Sequence, residues 1–200
     1  GGVANGNLFI SNPIGIHIGG GTTPDEGGVA ASMSNNLVMY GRDLDANNPR
    51  GFGLWVSNIR EADIHSNYFY KSSYGYNHSA ITLGGDRGLM VQNIDLQNNF
   101  ILDWNGSINI AAPHTEQIIN NISIAGNTVY RNFSNTSTPS NFIHPLVKLY
   151  ADWQDAVDLQ SNTYFMYNPS ESPFSIGNAP VTGDYWSDAI EPSSVVSSAS

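Results

Sequence analysis

Short runs of apolar and aromatic residues follow asparagines at a nearly constant spacing along this chain. Each run occupies the two to four positions directly after its asparagine. The asparagines that open the runs are Asn7, Asn36, Asn67, Asn99, Asn127 and Asn162, at separations of 29, 31, 32, 28 and 35 residues. Self-similarity at a period of about 20–50 residues is typical of repeat proteins. We therefore expect one structural unit to recur along the chain.

Each unit contains two further apolar alternations ahead of its asparagine. In one unit these are Ser107–Ile110 and Ile122–Ile124. Alternation with a period of two predicts β-strands, so each unit is predicted to hold three short strands. Strands this short bury an apolar face only when units stack, each strand pairing with its equivalent at about 4.8 Å. The predicted units are residues 15–50, 51–78, 79–106, 107–145 and 146–173.

Stacking predicts three inward columns of apolar residues. It also predicts a ladder of asparagines at the bend between the second and third strands of each unit, here called the second bend. The recurring Asn tolerates a left-handed backbone, and stacked side-chain amides bond along the axis of the stack. The predicted columns are Ile18, Leu54, Leu83, Ile110 and Leu149; Met33, Ile64, Leu96, Ile124 and Leu159; and Phe9, Val38, Phe69, Ile101, Val129 and Tyr164.

The segment Ile122–Tyr130, ISIAGNTVY, is the most compact example of strand, bend, asparagine and strand. Such coils resemble the right-handed parallel β-helix of the pectate-lyase-like superfamily. The resemblance implies an all-β, right-handed parallel β-helix of about five to six coils over residues 1–178, with three short strands per coil. Residues 179–200 are similar to the closing segment of secreted β-helix polysaccharidases. A β-sandwich with hairpins is the alternative fold.

Composition narrows the classes of function. Lys and Arg number 7 against 17 Asp and Glu, a net charge of −10, which argues against nucleic acid and against an anionic membrane surface. No apolar run approaches the roughly 18 residues of a membrane-spanning helix. Charged residues make up only 12%, while asparagines number 24 and cysteines 0. Uncharged polar residues are therefore expected to form most of the polar surface, as suits β-structure with many turns. The resemblance implies an extracellular, secreted protein.

Outward positions of the first strand in each unit predict a groove for a glycan. Small residues leave room along this face, and aromatic rings offer rigid surfaces on which sugar rings stack. The turns that follow the strand supply further polar groups. The predicted substrate-binding residues are His17, Trp55, Arg87, Asn109, His114, Lys148, Tyr150 and Trp153.

Carboxylates beside this groove predict glycoside hydrolysis. The reaction uses two of them, about 5 Å apart for retention or roughly 6.5–9.5 Å apart for inversion. Neighbouring coils place equivalent positions at about 4.8 Å, so such a pair is within reach. The candidate acid and base are drawn from Asp86, Glu116, Asp152 and Asp155. We expect cleavage of a polysaccharide or oligosaccharide with no cofactor required.

Two other functions remain open. A polyuronate lyase or C5-epimerase would neutralise the substrate carboxylate with a cation, supplied by Lys148 with His17 or by Arg87 with His114. The net charge of −10 repels a polyanion and favours a neutral glycan. A non-catalytic glycan-binding or structural β-helix, of the tailspike or adhesin type, is the third reading, because fold does not determine function.

Asp63 and Asp95 occupy equivalent positions in adjacent units. Two close carboxylates either recruit a cation, for which calcium is the candidate, or remain solvated aspartates.

The N-terminal edge and one face of the predicted stack are expected to contact partners. The first run, near residues 4–10, enters in mid-coil, which predicts either a missing N-terminal β-helix portion or another chain over that edge. Outward residues that flank the third column, such as Tyr68, Tyr70 and Phe100, form an apolar outer stripe. That stripe predicts a cover, which is the C-terminal tail, a missing domain or further copies in a homo-oligomer. The run Ser193–Ser198 predicts a linker or frayed end.

Overall fold

The computed structural model describes residues 2–10, 14–20, 23, 26–40, 52–71, 79–84, 90–104, 106–113, 117–131, 145–166 and 173–198. These residues form an all-β parallel β-helix of about five turns, as predicted. Three parallel sheets, here named A, B and C, run the length of the stack, and the chain visits them in the order A, B, C in each coil. No helix among these residues has the length and apolar character needed to span a membrane.

Each sheet takes one strand from every coil. Sheet A consists of β1 (Gly2–Asn5), β4 (Ala31–Ser34), β7 (Ala62–His65), β10 (Met90–Gln97), β13 (Ile118–Ala125) and β16 (Val157–Gln160). Sheet B consists of β2 (Leu8–Ile10), β5 (Leu37–Tyr40), β8 (Tyr68–Lys71), β11 (Phe100–Leu102), β14 (Thr128–Arg131), β17 (Thr163–Met166) and β20 (Val195–Ser198). Sheet C consists of β3 (Ile14–Ile18), β6 (Phe52–Val56), β9 (Ser79–Leu83), β12 (Gly106–Ile110), β15 (Val147–Leu149), β18 (Phe174–Ile176) and β19 (Ala179–Val181).

Alternation along each strand sends apolar side chains into a core enclosed by the three sheets. The predicted columns of sheets A and B are confirmed, since Met33 pairs with Ile64 and Val38 with Phe69 in register, and all four are buried. The sheet C column is wrong at one position. Ile18 pairs with Val56 and not with Leu54. Leu54 lies two residues earlier in β6 and pairs with Ile16 and Ile81.

At the bend between the sheet A and sheet B strands of each coil, two adjacent residues have different roles. The ladder asparagines were expected to take the left-handed backbone, but the residue before each of them does so. These residues are Gly6, Asn35, Ser66, Asn98, Gly126 and Ser161, with φ between 53° and 68°. Glycine adopts this region freely and asparagine tolerates it. The ladder asparagine is therefore left for hydrogen bonding.

The asparagine ladder itself is confirmed. The backbone N–H and the side-chain Nδ2 of each ladder asparagine from Asn7 to Asn127 donate to Oδ1 of the asparagine in the next coil, at 2.8–3.1 Å. Nδ2 also donates to a backbone carbonyl of the preceding coil, as from Asn99 to Ile64 O at 2.9 Å. From Asn36 to Asn162 these side chains are buried. The buried backbone groups of the bend thus find partners along the stack.

The C-terminal segment closes the upper end of the stack. β19 folds back antiparallel on β18, and a short helix, α1 (Gly183–Tyr185), leads into a π-helical turn (Trp186–Ile190). The Thr182 side chain caps α1 by accepting from Tyr185 N at 3.3 Å. The expectation of a linker or frayed end at Ser193–Ser198 is wrong, because β20 pairs in parallel with β17 as the last strand of sheet B.

Candidate functional site

The outer face of sheet C carries a row of side chains that the register fixes. The row runs His17, Trp55, Thr82, Asn109, Lys148 and Ser175, one residue per coil. The predicted pairing of Ile18 with Leu54 would place Gly53 opposite His17, but Trp55 is the residue paired with His17. The two-residue shift moves an aromatic ring into the row, which we call the sheet C row.

His17 and Trp55 form an aromatic platform at one end of the sheet C row. Their rings stack with centroids 4.8 Å apart and planes 19° apart, and Phe52 packs on the Trp55 ring at 5.7 Å. Trp55 Nε1 donates to Gly84 O at 2.9 Å, and His17 Nε2 lies 2.8 Å from Ser57 Oγ. These bonds hold both rings in place, with His17 exposed and Trp55 half-buried.

A close backbone approach allows this arrangement at Gly19. A Cβ at this position would lie 1.8 Å from Ser57 O, so no larger residue fits against the next coil. Gly19 therefore lets the two coils approach closely, and the His17 imidazole meets the Ser57 hydroxyl across them.

The middle of the sheet C row is partly covered. Thr82 is 4% exposed, and the Trp55 indole reaches past it to Gly84. Among the described residues, Thr82 Oγ1 and Ser175 Oγ are buried and have no hydrogen-bond partner. Asn109, the next residue in the row after Thr82, is half-buried.

Lys148 lies near the upper end of the row. Its Nζ donates to Asn178 Oδ1 at 3.2 Å, and the pair is exposed to solvent. Asn178 is in the turn between β18 and β19. Lys148 therefore places a positive charge and an amide next to one another on a face that is otherwise uncharged along the row.

Asp152 and Asp155 lie on the turn that leads from sheet C into β16, and both are exposed. Burial raises the pKa of the neighbouring Tyr150 phenol, and the negative charges of Asp152 and Asp155 raise it further. The two carboxylates thus share one turn and one neighbouring hydroxyl.

Tyr150 and Trp153 lie beneath this turn rather than on its surface. They are 7% and 8% exposed and belong to the hydrophobic core. The backbone of Trp153 accepts from Ala156 N and Val157 N, both at 2.9 Å, which shapes the turn. Buried rings present little surface to a sugar, so the geometry favours a packing role for both aromatics.

Four of the sequence-predicted site residues lie outside the described residues. These are Asp86, Arg87, His114 and Glu116. The described part of the predicted carboxylate set therefore consists of Asp152 and Asp155.

His17 and Lys148 occupy one row but distant coils. Four register steps separate them, and at about 4.8 Å per step this is roughly 19 Å. One sugar ring is too small to contact both. A lyase or epimerase that uses this pair on a single uronate unit is disfavoured by the spacing.

Asp63 and Asp95 pair in register on the outer face of sheet A, as predicted, and both are exposed. His65 Nε2 lies 3.8 Å from Asp63 Oδ2. Within the described ranges, no three His, Asp or Glu side chains are grouped closely enough to hold a metal ion. The calcium site remains a prediction that rests on two carboxylates.

Glu191 is a buried polar residue that sequence reasoning missed. It is fully buried, and its Oε1 accepts from both N and Nδ2 of Asn162 at 2.8 Å. Its Oε2 accepts from Tyr164 Oη at 2.9 Å and Trp186 Nε1 at 3.0 Å. Glu191 follows Asn162 by 29 residues, within the range of the ladder spacings. Extending the repeat by one more period is the signal that would have found it.

Comparisons with known proteins add no identity. No family model matches the chain, and neither curated proteins nor solved structures yield a match. The parallel β-helix is established by the strand register, while membership of the pectate-lyase-like superfamily remains a resemblance.

Proposed function

We propose that this protein is an extracellular carbohydrate-binding β-helix that holds a neutral oligosaccharide along the outer face of sheet C. The observation that supports this most is the platform of His17 and Trp55, two stacked rings fixed by hydrogen bonds at one end of a polar row. A rigid aromatic surface beside hydrogen-bonding groups suits a pyranose ring, which is apolar on its faces and polar at its rim.

The repeat of the sheet suits a chain ligand. Asn109 and Lys148 follow the platform along the same row at successive coils. Each coil advances by about 4.8 Å, a distance similar to the length of one sugar unit. Successive sugars would thus meet successive coils, first the rings and then the amide and ammonium groups.

Charge favours a neutral ligand. The chain carries a net charge of −10, and Lys148 is the cation of the sheet C row among the described residues. A polyuronate would be repelled at long range. A neutral glycan depends instead on ring contacts and hydrogen bonds, which the row supplies.

The binding proposal is tested on a glycan array, followed by titration calorimetry with the neutral oligosaccharide that binds. Trp55→Ala and His17→Ala should each weaken binding at least about tenfold, which corresponds to about 1.4 kcal/mol. Tyr185→Ala, which removes an exposed aromatic ring at the closed end, is the matched control. Unchanged affinity in folded Trp55→Ala and His17→Ala proteins, verified by circular dichroism, would reject the site.

Asp152 and Asp155 support a second step, hydrolysis of the bound glycan. Both are exposed on the turn that follows Lys148 and Tyr150 in the chain, and their charges add to the burial that raises the pKa of the Tyr150 phenol. One would act as acid and the other as base or nucleophile, according to their separation in the complex. An enzyme built this way needs no cofactor.

Hydrolysis is tested by release of reducing ends from the glycan identified on the array. Asp152→Asn and Asp155→Asn should each lower turnover by at least about 100-fold, because general acid–base catalysis contributes about that much or more. Asp188→Asn, an exposed carboxylate at the closed end, is the control. Full turnover in both variants would exclude this turn, and binding by the native protein without product would leave a glycan-binding β-helix.

A further inference from the structure

Ser66, His65 and Asp63 form a line of polar contacts at the carboxyl end of β7, on the outer face of sheet A. His65 Nδ1 lies 3.2 Å from Ser66 Oγ, and His65 Nε2 lies 3.8 Å from Asp63 Oδ2. The serine is exposed, and the imidazole and carboxylate side chains are 38% and 56% exposed. A hydroxyl, an imidazole and a carboxylate in this order are the parts of a serine nucleophile activated by a neighbouring base.

These contacts favour the tautomer in which the imidazole acts as a base toward the serine. With its proton on Nε2, the neutral ring turns an N–H toward Asp63 and an unprotonated Nδ1 toward Ser66. Ser66 Oγ–H then donates to Nδ1 at 3.2 Å. When that proton moves to Nδ1, the ring becomes positively charged and the Asp63 carboxylate stabilises the charge.

Strand β16 carries the same serine and carboxylate without the imidazole. Asp158, Gln160 and Ser161 are the register equivalents of the three residues, and Gln160 Nε2 donates to Asp158 Oδ2 at 2.6 Å. Both serines are exposed and have a left-handed backbone, with φ of 56° and 54°. A contact between the carboxylate and a polar side chain therefore recurs in this sheet, and the imidazole adds a base beside one of the two serines.

The Asn98 side chain brings an amide next to Ser66. Gln97 pairs with His65 in register, so Asn98 lies opposite Ser66 on the adjacent coil, about 4.8 Å away along the stack. It is exposed, as the serine is. An amide beside a nucleophile donates to the oxyanion that forms during acyl transfer.

The surroundings of Ser161 differ in this respect. Gly126 lies opposite Ser161 on one side, and Ser193 accepts from Ser161 N on the other. Neither neighbour carries an amide side chain. The protein therefore holds an internal control that has the serine and the carboxylate but neither the imidazole nor the adjacent amide.

We propose that Ser66, His65 and Asn98 form an esterase site that hydrolyses small neutral acyl esters, with Asp63 as the residue that positions the imidazole. The charges of Asp63 and Asp95, which are paired in register, repel anionic esters. The open sheet face admits an acyl group that projects from a larger molecule. The site lies on sheet A and not on the sheet C row, so the inference is independent of the proposed glycan site.

The reaction has two steps. Ser66 Oγ forms a bond to the ester carbonyl carbon while its proton passes to His65 Nδ1, and the carbonyl oxygen, now negative, accepts from Asn98 Nδ2. The bond to the alcohol oxygen then breaks, and His65 gives the proton to the leaving alkoxide, which leaves an acyl ester on Ser66. Water next adds to that ester as His65 takes its proton, the bond to Oγ breaks, and Oγ recovers the proton as the free acid departs.

The nucleophile is identified with an alkyl fluorophosphonate, which transfers a phosphonyl group to an activated serine and releases fluoride. Labelled peptides are quantified by mass spectrometry, in the presence of a chelator so that calcium does not occupy Asp63. Ser66 should be labelled at least about 100-fold faster than Ser161, because a positioned base contributes about that much or more. His65→Gln, which reproduces the arrangement at Gln160, should lower labelling of Ser66 at least about tenfold.

Turnover is measured with p-nitrophenyl acetate. Ser66→Gly removes the nucleophile and retains the bend, because glycine adopts the left-handed backbone freely. It should lower the rate of hydrolysis at least about tenfold. Ser161→Gly, the same substitution at the equivalent bend, is the matched control and should retain the native rate.

The supporting groups are tested by their effects on kcat and KM. Asn98→Gly should lower kcat at least about tenfold with little change in KM, because the amide acts on the oxyanion. Asp63→Asn should lower kcat about fivefold, the effect of one charge at this distance in water. Asp63→Glu should restore most of that loss, which a merely structural role of Asp63 does not predict.

Equal labelling of Ser66 and Ser161 in the native protein would overturn the inference, and so would full labelling of Ser66 in the His65→Gln variant. Native turnover by folded Ser66→Gly protein, verified by circular dichroism, would also reject it, because hydrolysis would then arise elsewhere on the surface. None of these results bears on glycan binding at the sheet C row.

Discussion

Each ladder asparagine connects three coils through one short side chain. Asn99 accepts from Asn67 N and Nδ2 at 3.0 Å, and its own Nδ2 donates to Asn127 Oδ1 and to Ile64 O. All of these groups are shielded from water. A buried polar group that loses its partner costs about 1–3 kcal/mol, so the contribution of one amide is larger than that of a single surface hydrogen bond.

Asn99→Ala should lower the free energy of unfolding by about 2–4 kcal/mol, because it orphans donors on Asn67 and an acceptor on Ile64. Urea denaturation followed by tryptophan fluorescence measures the change. Asn120→Ala, at an exposed position of β13, should stay within about 0.5 kcal/mol of the native protein. Equal losses in the two variants would contradict the ladder's role.

Substitutions at the residues before the ladder asparagines act through backbone conformation rather than through hydrogen bonding. Gly126 has φ +63°, and a Cβ there would lie 2.6 Å from Asn98 Oδ1. Gly126→Ala should therefore cost about 1–2 kcal/mol. Ser66, at φ 56° in the equivalent position, already bears that strain, and Ser66→Gly should be neutral or stabilise by up to about 1 kcal/mol. Thermal unfolding measures the stability of both variants. A loss of stability in Ser66→Gly would contradict the strained backbone assigned to Ser66.

At the scale of elements, strand register depends on more than alternation. Phe52, Leu54 and Val56 are all apolar and alternate correctly, so sequence predicted which side of β6 faces the core. It placed the pairing two residues away, because a shift of two preserves that alternation. The longer bends between coils do not have a constant number of residues, so counting residues does not determine the register. For this reason Trp55 was predicted outside the sheet C row.

The asparagine positions were predictable for the opposite reason. The bend between sheets A and B has the same length in every coil from Asn7 to Asn162, so the distance from asparagine to the next strand never varies. The buried state of Tyr150 and Trp153 was not predictable, because the connections from sheet C to sheet A range from 5 to 12 residues and offer no constant spacing with which to align this turn. Glu191 was missed for a different reason, because it keeps the spacing of the ladder but replaces the amide by a carboxylate.

Sheet A carries like charges directly opposite one another. Asp63 and Asp95 are paired in register and exposed, and like charges at such positions are destabilising. Asp95→Asn should raise the free energy of unfolding by a few tenths of a kcal/mol at low ionic strength, with the gain lost at about 1 M salt. Urea titrations at both salt concentrations measure this.

Calcium provides the contrast for Asp95. If the pair holds the ion, millimolar calcium raises the Tm of the native protein and leaves the Asp95→Asn variant unchanged. An equal response in both proteins would remove the calcium prediction.

The stability of the protein at alkaline pH depends on Tyr164, the buried tyrosine that donates to Glu191. Burial raises the pKa of this phenol well above its ordinary 10.0, and the charge of Glu191 raises it further. Because the folded state holds the proton more tightly, this contribution is complete below about pH 10 and is lost as pH rises from there toward the folded pKa. The expected result is a fall in the free energy of unfolding above pH 10.

Tyr164→Phe should lower stability at pH 7, because Glu191 loses a donor, yet reduce the further loss between pH 9 and pH 11. Urea titrations at the two pH values measure the slope. Tyr185→Phe, at an exposed tyrosine, should retain the native slope, and an unchanged slope in Tyr164→Phe would show that another group controls it.

For the whole molecule, closure of one end depends on a single carboxylate. Four donors converge on Glu191, from Asn162, Tyr164 and Trp186. Repeat stacks gain stability through nearest-neighbour contacts and need a terminal unit that satisfies the last layer. The π-helical turn and β20 are held in place through this residue.

Glu191→Gln should lower the free energy of unfolding by about 1–3 kcal/mol, because its amide nitrogen cannot accept from the Trp186 indole. Amide exchange at β20 should rise with it, as the segment opens before the rest of the stack. Glu61→Gln, at an exposed site, is the control. Native exchange at β20 in Glu191→Gln would disprove the capping role.

The ladder also has a polarity. Every asparagine amide donates in the same direction, toward the coil above, so the amide dipoles add in series as peptide dipoles do in an α-helix. The positive end of this array is at Asn162, where Glu191 supplies a buried negative charge, and its negative end is at Asn7. The carboxylate therefore serves the β-helix as an anion serves the N-terminus of a helix, and a lysine or arginine placed beside Asn7 would meet a favourable field at the other end.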